Sequence, residues 1–283
     1  MVYQKRDWEI VDYQMYSLKD TGKSFRGPEP KTLEKNQYFV CIGAAQTFGC
    51  FCKKPYPILL GEKLNLPALN LSAAGAGPDY FLQEQDLIPY INNARFAIVQ
   101  VMSGRSESNS VFSFNSKDGA GLTRRADGVK IGADPAYQEL LKENEPDYVK
   151  KIVAETRENW VNNFQELLKK ITIPKILLWF SNRRPYYQEK YNHVYQLFNG
   201  FPQLVNLDMV KQVRKYSDKY VECISNRGRH QLLISRFTDK PATIDDLGLQ
   251  LNSTKQSYNK YYPSPEMHVD ASLLLEKVCK KYL

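Results

Sequence analysis

The chain has 283 residues, 42% apolar and 12% aromatic, which excludes a disordered or fibrous protein and allows roughly three-quarters of the unfolded surface to be buried. No run reaches the about 18 apolar residues of a membrane span and the start MVYQKRDWEI lacks a signal-peptide centre, so the expectation is a cytoplasmic protein with no membrane span. A net charge of +8 and a pI near 9.0 favour an anionic ligand, while no Arg-rich tail or aromatic–basic alternation marks a nucleic-acid surface.

Residues 1–36 are polar and tyrosine-rich and read as an N-terminal extension packed on one domain spanning 37–283. Within the extension, FRGPEP holds Arg26 in a stiff turn, either solvated or placed for an anion contact. The run FVCIGAAQTFG (39–49) is a buried strand that stops in a small-residue loop. YPILLGEKLNL spaces its leucines as a short amphipathic helix does, and ALNLS is a second strand ending in AAGAGPDY. A further helix leads to a third strand, RFAIVQVM, which stops in SGRSESNS. Strands that end in Gly- and Ser-containing loops with helices between them predict a doubly wound parallel sheet, its loops converging on one edge where ligands bind.

The segment near 112–134 is polar and glycine-rich, reads as an inserted lid or mobile loop, and carries Arg124 and Arg125. Residues 147–171 repeat apolar side chains at helical spacing. The fourth strand, KILLWFS, delivers Arg183 and Arg184 to the same edge. LVNL is expected as a short strand before a helix and YVECIS as a fifth strand; 226–258 has no clear order. A C-terminal helix is predicted over 271–282 with His268 at its start. The five cysteines, Cys41, Cys50, Cys52, Cys223 and Cys279, lack framework or zinc spacing, so reduced thiols and no metal site are expected.

Together FRGP, GAAQTFG, NLSAAGAGP, SGRSESN and YYPSPEMH resemble a bacterial domain family of unknown function, within the SGNH (GDSL-type) hydrolase superfamily. The resemblance covers residues 39–283 and implies a flavodoxin-like, three-layer α/β/α sheet. Its four blocks are a Gly-Asp-Ser nucleophile, a glycine after the second strand, Gly-x-Asn-Asp, and a late Asp-x-x-His. Gly43, Gly75 and His268 match. Ala44 and Ala45 fall on the aspartate and the nucleophilic serine, Gly104 and Arg105 on the Asn-Asp pair, and Pro265 on the aspartate that would orient the histidine. An alanine forms no covalent intermediate.

The reading that follows is an SGNH-like transferase moving a sulfuryl, or alternatively an acyl, group from an anionic donor to a hydroxyl, such as that of a saccharide. In-line transfer needs no protein nucleophile, only positioning and positive charge. His268 is the expected general base and Arg105 the anion stabiliser; 3′-phosphoadenosine sulfate is a candidate donor, with no bound cofactor. Gly43, Ala45, Gln46, Thr47, Gly75, Ser103, Asn109, Arg26 and Arg183 are the expected donor- and substrate-binding residues. The alternatives are an inactive binding or scaffolding protein that kept the cleft, and an esterase-like hydrolase in which Thr47 or Ser103 replaces the serine.

Overall fold

A computed structural model describes residues 2–116, 121–245 and 255–283. The chain begins with α1 (Val2–Asp7) and a hairpin of β1 (Tyr16–Leu18) and β2 (Lys23–Phe25). Then come β3 (Phe39–Ile42), α2 (Ala45–Phe48), α3 (Tyr56–Leu64), β4 (Ala68–Asn70), α4 (Pro78–Gln83), α5 (Ile88–Asn92) and β5 (Ala97–Gln100). A small antiparallel sheet of β6 (Phe112–Phe114), β7 (Leu122–Arg124) and β8 (Lys130–Ile131) precedes α6 (Ala133–Glu143) and α7 (Pro146–Lys170). The rest comprises β9 (Lys175–Ser181), α8 (Val194–Phe198), α9 (Leu207–Val213), β10 (Lys219–Ile224), four two-residue strands, β11 (Gln231–Leu232), β12 (Ile244–Asp245), β13 (Lys255–Gln256) and β14 (Tyr258–Asn259), and α10 (Pro265–Cys279).

Five strands pair in parallel in the order β4-β3-β5-β9-β10. This is the 2-1-3-4-5 order of a flavodoxin-like doubly wound sheet, as expected from the alternation of apolar runs and helices. Alternate residues of each strand face opposite layers. Val40, Ile42, Val99, Leu177 and Trp179 pack under Phe81 of α4, Trp160 and Phe164 of α7, and Val210 of α9. Phe39, Cys41, Ile98, Leu178 and Phe180 pack against Leu60 of α3 and Ala271 and Leu275 of α10. Because every strand runs the same way, the loops after β3, β4, β5 and β9 leave one edge.

Three expectations about elements are corrected. The segment 112–134 is no lid among the described residues: Phe112, Phe114 and Leu122 of the small sheet share a core with Tyr137 of α6 and Ile152 of α7. Residues 117–120 of that segment lie outside the described ones. Residues 204–206 are loop rather than strand, and Asn206 caps α9 by accepting from the Met209 N–H at 3.1 Å. The last helix starts earlier than 271, with Ser264 as its cap and Pro265 in its first turn, where a missing N–H costs nothing. His268 is thereby inside α10. The stretch 226–258 contributes β11, paired with β14, and β12, paired with β13; residues 246–254 lie outside the described ones. All five cysteines are free and buried. No helix among the described residues is long and apolar enough to cross a membrane.

Candidate functional site at the carboxyl edge

The loop after β3 is braced from three sides. Gln100, the last residue of β5, turns its Oε1 to accept from the Ala44 N–H (2.9 Å) and the Thr47 hydroxyl (2.7 Å). A Cβ at position 43 would collide with that amide, which is why a glycine stands there. Thr47 is fully buried, lies 3.0 Å from the Tyr56 hydroxyl, and accepts on its carbonyl from Asn70 Nδ2. It is a strut, not a nucleophile. Gln46 is buried with an unpartnered Oε1, and Gly75 takes a left-handed φ of 67° in the loop after β4.

Arg26 does not reach an anion. It is 2% exposed, stacks on Tyr13 and Phe48, and donates to the carbonyls of Phe48, Gly49, Cys52 and Lys53. Four carbonyl dipoles keep the buried cation tolerable, although burial lowers its pKa. The FRGP turn thus clamps the loop that follows α2. From the other side Arg6 forms a bidentate pair with buried Asp7, Asp7 accepts from the Tyr13 hydroxyl (2.6 Å), and that hydroxyl accepts from the Phe51 N–H (3.0 Å).

His268 lies in the first turn of α10, against the start of α3. The imidazole is fully buried on the α3–α10 face, with ring centroids 6.1 Å from Tyr56 and 5.1 Å from Phe180. Its Nδ1 accepts from the Tyr56 N–H at 3.2 Å, satisfying one of the free donors at the start of α3, and its Nε2 has no partner. Burial first, and the Arg26 charge second, push its pKa down to about 3. It is a buried, neutral imidazole that caps α3, in place of the exposed base expected from the sequence.

Two further expected contacts are consumed by structure. Asn109 is 3% exposed, donates to Tyr137 and Thr156, and accepts from the N–H groups of Val111 and Phe112. Arg183 lies against Trp179 and Tyr187 and donates to the carbonyls of Arg184, Gly200, Pro202 and Val205. Burial lowers its pKa to about 10. Arg124 is likewise held by Asp127 and Glu139.

Arg105 is different. Ser103 Oγ accepts from its N–H, and the Gly104 N–H is tied to the Gln203 carbonyl, so the loop after β5 is fixed. The guanidinium engages Asp134 of α6 through Nη1 at 2.5 Å and lines a cleft of about 800 Å³. Burial opposes its charge, but Tyr261, Asp134, Tyr262 and Tyr3 outweigh that and raise its pKa. Among the described lining residues Arg6, Arg105, Lys255 and Lys260 face a single carboxylate, Asp134. Ala45 is buried in the cluster that holds Phe48, Phe51 and Tyr262, and the Tyr262 and Tyr3 hydroxyls stand 3.4 Å apart. Burial raises the pKa of both phenols, so they remain protonated donors.

Asn259 fixes the turn that carries the two tyrosines: its Oδ1 accepts from the Tyr261 and Tyr262 N–H groups at 3.2 and 2.9 Å. Tyr261, Tyr262, Gln203, Asp134 and Arg6 are site residues that the sequence reading missed. The doubled tyrosine ahead of the helix cap was the available signal.

The model of the family described as Domain of unknown function (DUF6473) matches residues 1–118 and 138–282. The chain belongs to the DUF6473 family. Comparison with curated proteins finds no match. Among solved structures, this DUF6473 chain is similar to a protein from Slackia heliotrinireducens assigned as an SGNH hydrolase, at 11% identity and a TM-score of 0.41, covering 86% of this chain and 98% of that one. A catalytic mutant of an acetylxylan esterase from Geobacillus stearothermophilus gives 11% and 0.41, with 86% and 94% covered. A family two carbohydrate esterase from Clostridium thermocellum gives 11% and 0.40, with 93% and 70% covered. These likenesses concern the path of the backbone and leave the chemistry of this DUF6473 member to its own residues.

Proposed function

We propose that the protein is a binding protein built on an SGNH-like fold, which holds an anionic ligand at Arg105 and carries out no serine-type ester hydrolysis. The observation that carries this reading is that the expected catalytic groups are buried and engaged: Ala45 is buried and carries no nucleophilic atom, Thr47 is a buried strut, Ser103 braces the Arg105 loop, and His268 is fully buried with its Nδ1 on the Tyr56 N–H. A nucleophile and its base need to be within about 3 Å of each other or of a shared water. Arg105, by contrast, lines a cleft together with cations, phenols, amides and one carboxylate, its partner Asp134.

A second reading keeps the transferase. Asp134 lies in the cleft at 2.5 Å from Arg105 and is 38% exposed, so it has the position of a base for an incoming hydroxyl while Arg105 takes the charge of a sulfuryl or acyl donor. In that case Asp134 replaces His268. Incubation with 3′-phosphoadenosine sulfate, coenzyme A thioesters and p-nitrophenyl acetate separates the two. Stabilisation by one anionic class, lost in Arg105→Ala and without product, supports binding. Product formation that Asp134→Asn abolishes supports transfer instead, and ester turnover with a covalent adduct defeats both.

A further inference from the structure

We infer that the ligand of the Arg105 cleft is an acidic oligosaccharide. This rests on the anion-binding reading above and extends it outward from Arg105. The cleft carries two kinds of surface. One is aromatic: Tyr195 at 66% exposure and Tyr258 at 45% are left open to solvent on its wall, with Phe51, Phe198 and Tyr261 deeper in. Aromatic faces left open beside polar groups suit a ligand with an apolar face and a polar edge, which is how a pyranose ring presents its C–H bonds and its hydroxyls.

The other surface is polar and fixed. Gln203 is 4% exposed and its Nε2 donates to the Tyr261 hydroxyl at 2.8 Å, so the phenol is held in place at the cleft rather than free to rotate. The cations are dispersed: Arg105 comes from the loop after β5, Lys255 from β13, and Lys260 from the turn after β14. A nucleoside diphosphate concentrates its charge and asks for adjacent backbone N–H groups at a helix start. Here the first turn of α6, which lines the cleft, carries Asp134, which opposes a diphosphate and already pairs with Arg105. Single charges spaced along a chain of rings fit better. At about 800 Å³ the cleft has the upper range of small-ligand sites and room for more than one ring.

The test is a calorimetric or melting-shift titration of the whole chain with three probes: a size-graded series of carboxylated or sulfated oligosaccharides, the uncharged oligosaccharide of the same backbone, and inorganic sulfate. The expected result is tighter binding of the acidic series with length, with Tyr195→Ala and Tyr258→Ala each weakening it by about tenfold while sulfate binding stays unchanged. Both tyrosines are exposed, so these variants keep the fold. If sulfate binds through Arg105 and no acidic oligosaccharide does, the saccharide assignment is overturned and the anion site stands. Equal binding of charged and uncharged oligosaccharides also overturns it. If no probe binds, both readings fall.

Discussion

At the scale of single residues, the pattern of SGNH-like positions misleads where burial is invisible in the sequence. His268 occupies a matching place in the text, yet it is fully buried and its Nδ1 caps the start of α3. Accordingly Ala45→Ser is expected to restore no esterase activity and to form no adduct with a serine-directed phosphonate in intact mass, because no base reaches the new hydroxyl. Two buried groups set the pH response. Burial and the Arg26 charge hold native His268 down to about 3, so below its ordinary 6.5 the unfolded chain binds a proton that the native chain refuses, and stability falls with acidification across that window. Burial and Asp79 raise Glu107 to about 8 from 4.5, so the native chain keeps a proton that the unfolded chain releases, and stability falls as pH rises between those values. Glu107→Gln therefore gains on the wild type by about 1.4 kcal/mol per pH unit across that range, read from urea unfolding at several pH values. Gln100→Leu strands the Ala44 N–H and leaves the Thr47 hydroxyl with Tyr56 alone, and about 2 kcal/mol of stability is expected to go with them.

At the scale of elements, the fold was legible because strand and helix alternate with clear periodicity and each strand ends in small residues. KILLWFS is β9 residue for residue. What failed were places where local signals compete. The polar text around residues 112–134 hides three short strands, since two or three alternating apolar residues are too few to distinguish from loop. Prolines at 263 and 265 read as a lead-in, whereas Ser264 caps and Pro265 starts α10. Ser264→Ala is expected to cost about 1 kcal/mol through loss of the cap, measured as a shift in unfolding midpoint without a change in slope. Arg26 belongs to this scale as well, because its role is to hold a loop. A lysine has three donors in place of the planar fork that reaches four carbonyls, so Arg26→Lys is expected to destabilise nearly as much as Arg26→Ala.

At the scale of the whole molecule, the parallel sheet brings four loops to one edge, and the site emerges from segments far apart in sequence. Arg105 was readable because it stands where an amide pair is expected. Tyr261, Gln203 and Asp134 were not, since nothing local announces that residues 103, 134, 203 and 261 meet. Among the described residues the cleft is lined by Arg105 paired with Asp134, Arg6 paired with Asp7, and two lysines, Lys255 and Lys260. The central claim is that this cleft holds an anion through Arg105. It is tested most directly by melting the wild type and Arg105→Ala in sulfate and in chloride at equal ionic strength. Sulfate stabilises most proteins by exclusion from their surface, so the difference between the two proteins is what counts. The account predicts a sulfate-dependent rise in the wild type that exceeds the rise in Arg105→Ala; equal rises in both would contradict it.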